Sequence, residues 1–301
     1  MSKLLYPTGK AEGIYFNLSN DEYHRDPALS HSGMTQVLIS WQDYWERSCH
    51  NPDKAEYKPT DAMQFGERSG MLLLEPKRFN AQFNSYGRAP SAAKGVWLSS
   101  IEYNKIKRSV DDIMSVPKAA AYFEQGYPEV SIFWRDKITG VPLRARIDYL
   151  RTFGAIDFKR IAGVGPYAIG KAVKAQGLDI QNFLYLEGIK AAREWLRRMK
   201  DFEIQEFAQQ QGVELEWLCA FRDEEDLLFR FLFQRSTPPY IWKIRELDQD
   251  VLIEGANATH EAMKRYKEGL ARFGTGAPDM GDGELGTISK FHVPRRDYDY
   301  E

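Results

Sequence analysis

The sequence lacks several features that would assign it to a specialised class of protein. Only two of its 301 residues are cysteine, Cys49 and Cys219. Two cysteines are too few for a four-cysteine zinc or iron–sulfur site, or for a disulfide-stapled scaffold. No apolar run approaches the ~18 residues needed to cross a bilayer, and residues 1–10 contain no apolar stretch long enough for a signal peptide. These absences predict a soluble, cytoplasmic protein without a membrane partner.

An excess of charge of one sign is also lacking. The 41 lysines and arginines against 43 aspartates and glutamates give a net charge of −2, which excludes a globally basic coat protein for nucleic acid. A net charge near zero is still compatible with a locally basic groove. No Gly-rich Walker loop is present, so no ATP-driven step is indicated. The hydrophobic share of 43%, with 13% aromatics, excludes a disordered chain.

Hydrophobic periodicity predicts one α/β domain. Helices are predicted over about 34–41, 61–75, 95–126, 165–174, 179–207 and 251–272, and strands over 129–134, 143–150, 155–159, 215–221, 229–234 and 240–247. Three consecutive strands with short connections predict an antiparallel meander at the heart of a mixed sheet flanked by helices. Around the domain, at 13–272, we expect an N-terminal extension at 1–12 and a Gly/Pro-rich, acidic tail at 273–301.

The strand at 155–159 carries the first chemical signal. Residues two apart in a strand share a face, so Asp157 and Lys159 project to one side, while Ile156 and Phe158 project to the other. If the preceding strand pairs with it, Asp148 converges on Asp157. Two convergent carboxylates suit Mg²⁺ or Mn²⁺, and a lysine beside them can orient or help deprotonate water. The alternative is that both aspartates are ordinary polar positions on a half-exposed strand.

The following helix adds a second pair. Gln181 and Tyr185 are four residues apart and therefore share a helical face. An amide and a phenol can hold phosphates or bases near a metal, although a tyrosine at this spacing is more often packed in the core. Lys171 and Lys174 are the better candidates for phosphate contacts. The basic cluster at 193–200 has the commoner explanation of a solvated helix face.

These residues, in this order, resemble the PD-(D/E)XK nuclease superfamily, and more narrowly its RecE / exonuclease VIII type from phages and prophages. The resemblance covers most of residues 13–272. It is carried by Ile147-Asp148, Ile156-Asp157-Phe158-Lys159 and Gln181-Asn182-Phe183-Leu184-Tyr185, together with Tyr23-His24, Pro27 to Ser32, Gly66 to Phe79, Phe233-Gln234 and Pro238-Pro239-Tyr240.

The resemblance implies a restriction-endonuclease-like core and a metal-dependent exonuclease. Such an enzyme degrades linear double-stranded DNA from its ends, 5′→3′, to give single strands for recombination. Asp148 and Asp157 would bind Mg²⁺ or Mn²⁺, Lys159 would be the catalytic lysine, and Gln181 and Tyr185 would help to position DNA. A homo-oligomer, a RecT-like single-strand annealing partner and a bacterial or phage-encoded source are also implied.

One position departs from the family pattern. The family helix usually carries a metal-binding histidine four residues after its glycine, and here that position, four residues after Gly66, is Gly70. Glu67, three residues before Gly70, could place a carboxylate in the same space, or it could be a solvated helix residue. The departure therefore leaves two further functions open. One is a nuclease-fold module that binds DNA or a partner without cutting, and the other is a restriction-type endonuclease that cuts circular DNA.

Around the carboxylates the sequence predicts a basic groove. A bound cation would make the local potential positive. The net charge of the whole chain therefore does not indicate the sign of the potential where DNA would bind.

Overall fold

The computed structural model describes residues 6–55, 58–86 and 96–278. Residues 1–5 of the expected N-terminal extension and residues 279–301 of the expected tail lie outside this range. The described part of the chain is a mixed α/β structure whose main sheet is flanked by helices on both faces. None of its helices is long and apolar enough to cross a membrane, within the described ranges.

The helices and strands alternate irregularly along the chain. The helices are α1 (Asn20–Arg25), α2 (His31–Ile39), α3 (Trp41–Arg47), α4 (Asp61–Leu74), α5 (Pro76–Gln82), α6 (Ser100–Met114), α7 (Pro117–Ala120), α8 (Pro166–Gln176), α9 (Leu178–Arg197), α10 (Asp201–Gln211), α11 (Leu215–Asp223) and α12 (Gln249–Phe273). The strands are β1 (Gly13–Tyr15), β2 (Phe83–Tyr86), β3 (Val96–Ser99), β4 (Gly126–Arg135), β5 (Pro142–Arg151), β6 (Gly154–Ile161), β7 (Leu228–Arg235) and β8 (Trp242–Arg245).

The main sheet has six strands in the order β1-β4-β5-β6-β7-β8. All neighbours are antiparallel except β6 and β7, which are parallel. The predicted central meander is confirmed as β4, β5 and β6. Its first turn forms because the Asp136 carboxylate accepts hydrogen bonds from the backbone amides of Ile138 and Thr139, and Gly140 takes a positive φ of 69°.

The parallel pair needs a long crossover, which α8 to α11 supply. The 20-residue helix α9 is buried along most of its length and packs against β1, β4, β5, β7 and α12. On the opposite face, α4 and α6 cover the sheet through a second apolar cluster that includes Leu73, Val110, Ile113, Ile156 and Leu232. The central strands therefore lie between two helical layers, and both faces of β6 are covered.

The predicted strand at 215–221 is wrong, because this segment is helix α11. Trp217, Leu218 and Phe221 are its buried residues, and spacings of one, three and four place them on one face of a helix. A short apolar run can fit either period. Trp217 also donates its indole N–H to the Gln125 carbonyl, which fixes the helical arrangement through a contact distant in sequence.

Two predicted helices have different limits from those expected. The helix predicted over 179–207 is interrupted, because α9 ends at Arg197 and α10 starts at Asp201. Lys200 is extended between them, and its backbone N–H donates to the Glu203 carboxylate at 2.6 Å, as in a capping box. The helix predicted over 95–126 begins later, since residues 96–99 form β3, and its main part ends at Met114.

The close packing of α12 on α9 depends on Gly255. A Cβ atom there would lie 2.3 Å from the backbone carbonyl oxygen of Asp179, so we expect Gly255→Ala to lower the free energy of unfolding by about 1–3 kcal/mol. Gly170→Ala in α8 is the matched control, since no atom lies within 4 Å of that Cβ position. The control should raise stability by up to ~1 kcal/mol. Equal urea midpoints for the two variants would contradict this packing.

Candidate active site

The strands β5 and β6 separate at the two aspartates. Their ladder runs from Arg151–Gly154 to Tyr149–Ile156 and stops there, so the next rung, between Asp148 and Asp157, is not formed. The backbone N–H of Phe158 instead donates to Asp148 Oδ2 at 2.9 Å. The Asp148 side chain therefore replaces a ladder bond at the point where the strands diverge.

Asp157 is almost fully buried, with 1% of its surface exposed. Its Oδ1 atom accepts a hydrogen bond from Gln181 Nε2 at 2.5 Å, and its Oδ2 atom forms an ion pair with Lys159 Nζ at 2.6 Å. Burying a carboxylate without such partners would cost several kcal/mol. The amide and the ammonium together hold the Asp157 carboxylate in one orientation.

The electrostatics of these groups are linked. Burial raises the pKa of Asp148 well above its usual range, and the negative charge of Asp157 raises it further, while Lys159 opposes both effects. Burial acts against the Lys159 ammonium, but Asp157 and Asp148 outweigh it and raise the pKa of Lys159. Lys159 is therefore a cation at neutral pH, and in this state it stabilises negative charge rather than accepting a proton.

Gln181 and Tyr185 lie on the buried side of α9, where 3% and 8% of their surfaces are exposed. Burial raises the pKa of Tyr185 well above its usual value, and the Gln181 side chain acts in the opposite direction. The Tyr185 ring meets Phe229 edge-on at 5.9 Å. These contacts place the pair behind Asp157, as support for its carboxylate, rather than on an open surface.

The start of α9 is fixed by His31. Its imidazole Nε2 lies 2.9 Å from the Gly177 carbonyl oxygen, and Gly177 joins α8 to α9 with a positive φ of 61°. Burial, followed by the charge of Lys159, lowers the pKa of His31 to about 4. The ring is therefore neutral at pH 7 and donates to Gly177 through Nε2–H. This bond sets the position of Gln181 one turn later.

A cavity of about 610 Å³ adjoins Asp148, and we call it the acidic cavity. It is lined by residues 16–20, by part of α4 and the start of α5, and by β4, β5 and β6. Its charged side chains are Glu67, Glu75, Arg78, Glu129, Arg146 and Asp148. Asp157 and Lys159 lie next to it, behind Asp148 and Phe158, and do not line it.

The expectation of a basic groove is wrong for this cavity, because its carboxylates outnumber its cations. Arg78 forms an ion pair with Glu75 at 2.8 Å. Arg146 donates to Ser131, Asn20 and the carbonyls of Leu18 and Ser19. Both guanidinium groups are thereby occupied, and the formal charge of the lining residues is negative. Glu129 and Glu75 are distant from the aspartates in sequence, so local sequence patterns do not place their carboxylates at the site.

Arg146 has a structural role that sequence analysis missed. Its hydrogen bonds tie residues 18–20 to the sheet, and its guanidinium lies over the Tyr23 ring at 4.3 Å from the centroid. Arg144, Arg146 and Asp148 alternate along β5, a period-2 signal that places them on one face. Arg146 therefore keeps the segment at 16–20 against the acidic cavity.

The other predicted site residues do not contact the Asp157–Lys159 pair. Gly70 and Glu67 line the acidic cavity, and the Glu67 side chain is exposed. Lys171 and Lys174 are on the exposed side of α8 and do not line the cavity. Lys174 forms an exposed ion pair with Glu254 at 2.9 Å. The structure thus brings Asp148, Asp157, Lys159, Gln181 and Tyr185 together and leaves the two α8 lysines on the surface.

The donors at this site are carboxylate oxygens, which suit Mg²⁺ or Mn²⁺ rather than zinc. Asp148 lines the cavity and is held by one backbone amide through Oδ2. As the side chains stand, no three His, Cys, Asp or Glu residues of the described ranges form a group that could hold a metal ion. The residues fit a magnesium-type ion that keeps several waters and takes few protein ligands.

The chain is similar in fold to a solved structure. The crystal structure of a protein from Eubacterium rectale, named "Putative exonuclease", matches with a TM-score of 0.54 and 14% sequence identity, covering 84% of this chain and 87% of that one. No protein-family model and no curated protein matches the sequence. At 14% identity the likeness shows a shared mixed α/β fold.

The raised pKa of Asp148 predicts a pH-dependent stability. The pKa of Asp148 is higher in the folded chain than in the unfolded chain, where it is about 4. The free energy of unfolding therefore falls as the pH rises from the unfolded pKa through the folded pKa. We therefore expect Asp148→Asn, which can still accept the Phe158 bond, to be more stable at pH 7 in EDTA. The gain should appear as a higher melting temperature of the variant at pH 7.

Thermal unfolding between pH 4 and pH 8 tests this expectation, and the advantage of the variant should vanish toward pH 4. Asp111→Asn is the control, because Asp111 is exposed on α6. A constant difference across the pH range would show that the carboxyl of Asp148 does not titrate as described.

The bond from Gln181 to Asp157 predicts a separate effect. Gln181→Met keeps the side-chain volume but leaves Asp157 Oδ1 buried without a donor, so we expect a loss of about 1–3 kcal/mol of stability. Urea unfolding in EDTA measures this loss. Gln209→Met on the exposed side of α10 should have almost no effect, and equal losses in both variants would rule out a specific bond.

Proposed function

We propose that the chain is a metal-dependent exonuclease of the PD-(D/E)XK superfamily, RecE / exonuclease VIII type. It would degrade linear double-stranded DNA from its ends. The observation that carries the proposal is the convergence of Asp148 with the Asp157–Lys159 pair where β5 and β6 separate, beside the acidic cavity. A fold shared with the protein named as an exonuclease supports hydrolysis by a nuclease.

The excess of carboxylates over cations in the acidic cavity supports a requirement for a cation. A phosphodiester is an anion, and a cavity whose arginines are already occupied repels it. A divalent cation reverses that repulsion. Asp148 and Asp157 would hold Mg²⁺ or Mn²⁺, which supplies an activated water and polarises a phosphoryl oxygen.

The protein groups have distinct tasks in this proposal. Lys159 stabilises the negative charge that develops on the phosphoryl group, because its ammonium is held at Asp157. Gln181 and Tyr185 fix the orientation of the Asp157 carboxylate. Arg146 keeps residues 18–20 beside the cavity, and Lys171 and Lys174 would contact DNA phosphates from the exposed side of α8.

Several finer features of the proposal rest on the sequence resemblance. These are 5′→3′ polarity, a role in recombination, a homo-oligomer, a RecT-like annealing partner, and a phage or bacterial origin with a cytoplasmic location.

A second candidate function follows from Gly70. This residue lines the acidic cavity where the family histidine would stand, so the chain would have one metal ligand fewer. The second candidate is a catalytically weakened module that binds DNA or a partner.

One gel distinguishes the two functions. We expect end-labelled linear duplex to be degraded with Mg²⁺ or Mn²⁺ but not with EDTA, while closed-circular plasmid stays intact. Asp157→Ala should lower the rate by more than about 100-fold, since even residues behind metal ligands cost 10–100-fold. Asp111→Ala should keep the activity.

Each outcome of this gel has a distinct meaning. Duplex binding without cleavage at any metal concentration would favour the second candidate. Cleavage of the closed circle would indicate an endonuclease. Full activity of Asp157→Ala would contradict the site.

A further inference from the structure

The exposed face of α8 carries an aromatic ring and two lysines. Tyr167 has 76% of its surface exposed, and Lys171 and Lys174 are exposed as well. Spacings of four and three residues place the three side chains on one side of the helix. The opposite side, with Ala172 and Val173, is buried in the core. Tyr167 therefore lies on the solvent side of an amphipathic helix.

The charge along this part of the chain has one sign. Residues 158–178 contain four cationic side chains and no acidic one. Lys174 is paired with Glu254 of α12 at 2.9 Å, whereas Lys171 forms no ion pair within the described part of the chain. A single exposed aromatic residue needs no explanation, but one beside an unpaired cation is suited to a ligand that has both a flat ring and a negative charge.

Both ends of α8 are tied to the proposed site. Its first turn follows β6, the strand of Asp157 and Lys159, after a loop at 162–165. Its last residue precedes Gly177, whose carbonyl oxygen contacts His31. The charge of Lys159 reaches this end of the helix, since it lowers the pKa of His31. A nucleic-acid strand on the exposed face of α8 would therefore lie beside the site.

A ring and an ammonium one helical turn apart suit a single strand of DNA. Bases of single strands stack on aromatic side chains largely without regard to sequence. Within a duplex the faces of a base are covered by its neighbours, so only an unpaired base can stack on Tyr167. Cβ atoms one turn apart are about 5–6 Å apart, so Lys171 can contact a phosphate next to that base.

We propose that the exposed face of α8 binds the unpaired DNA strand at a duplex end, with a base stacked on Tyr167 and a phosphate held by Lys171. This inference rests on the proposed function, because DNA is the substrate that the nuclease would use. The acidic cavity cannot anchor the strand, since its carboxylates outnumber its cations. The anchor therefore lies outside the cavity, on the helix that follows the site.

Phe202 on α10 shows what distinguishes Tyr167. Phe202 is also exposed, at 56%, and it also has a lysine beside it, since Lys200 Nζ lies 5.9 Å from the ring centroid. Its neighbours in sequence, however, are Asp201 and Glu203, which would repel a phosphate. Phe202 is therefore the matched control for an exposed ring.

Fluorescence anisotropy of a labelled oligothymidylate, with the full-length protein in EDTA, tests the proposal without relying on activity. We expect Tyr167→Leu to weaken binding by about 5-fold or more. Tyr167→Phe keeps a ring and should bind like the unmodified chain, as should Phe202→Ala. An abasic oligonucleotide of the same length keeps the phosphates but offers no base, so Tyr167→Leu should bind it as well as the unmodified chain does.

The contact of Lys171 is tested by its dependence on salt. Each phosphate contact with a single strand contributes about 0.7 to the slope of log affinity against log salt concentration, so Lys171→Gln should reduce the magnitude of the slope by about 0.7. Lys264→Gln on the exposed side of α12 is the control and should leave the slope unchanged. An unchanged slope in Lys171→Gln overturns this contact. Melting temperatures verify folding for each variant.

The outcomes separate this inference from the proposed function. Equal affinities of folded Tyr167→Leu and the unmodified chain for oligothymidylate overturn the inference even if the chain degrades DNA. An equal loss of affinity for the abasic oligonucleotide overturns it as well, and so does an unmodified chain that binds no single strand. Binding that requires both the bases and Tyr167, in a chain that never cuts DNA, supports the inference and removes the proposed function.

Discussion

The buried carboxylate of Asp157 is the constraint on which the rest of the site depends. A charged group with 1% exposure is tolerated in a protein interior only when hydrogen bonds and opposite charge surround it. Lys159 on the same strand and Gln181 on α9 meet this requirement. Gln181 reaches Asp157 from the start of α9, which is held by the contact between His31 and Gly177. Helix α12 approaches the same end of α9 closely, because Gly255 lies against Asp179.

The carboxylates also explain why the sheet is irregular at its centre. Regular pairing would bring Asp148 between Glu129 and Asp157 on adjacent strands, and like charges at such close positions are unfavourable. Instead β5 separates from β6 at this level, and the β4–β5 ladder omits one rung. The backbone hydrogen bond lost between β5 and β6 is partly replaced by the bond from Phe158 N–H to Asp148. The distortion creates the space in which a polar site can exist within a sheet.

Local patterns were sufficient to predict some of this arrangement. The β4–β5–β6 meander follows from short turns and strand-forming residues, and the i, i+2 spacing places Asp157 and Lys159 together without further information. The four-residue spacing likewise places Gln181 and Tyr185 on one helical face. Segment 215–221 was predicted wrongly because its apolar run fits two periods, and the contact that decides between them, from Trp217 to Gln125, is distant in sequence. Glu129 and Arg146 were missed for a similar reason, since their importance comes from neighbours that only the folded chain supplies.

The approach of α4 to β6 bears on how such a site can change over time. A Cβ atom at Gly70 would lie 3.6 Å from the Phe158 ring, and one at Gly66 would lie 3.6 Å from the Arg160 side chain, both ordinary contact distances. A Cβ atom can therefore be gained at either position without displacing the helix. The backbone keeps its shape with or without a Cβ atom at positions 66 and 70. The residues that surround a bound ion can therefore move to neighbouring helices or strands during evolution while the fold stays the same.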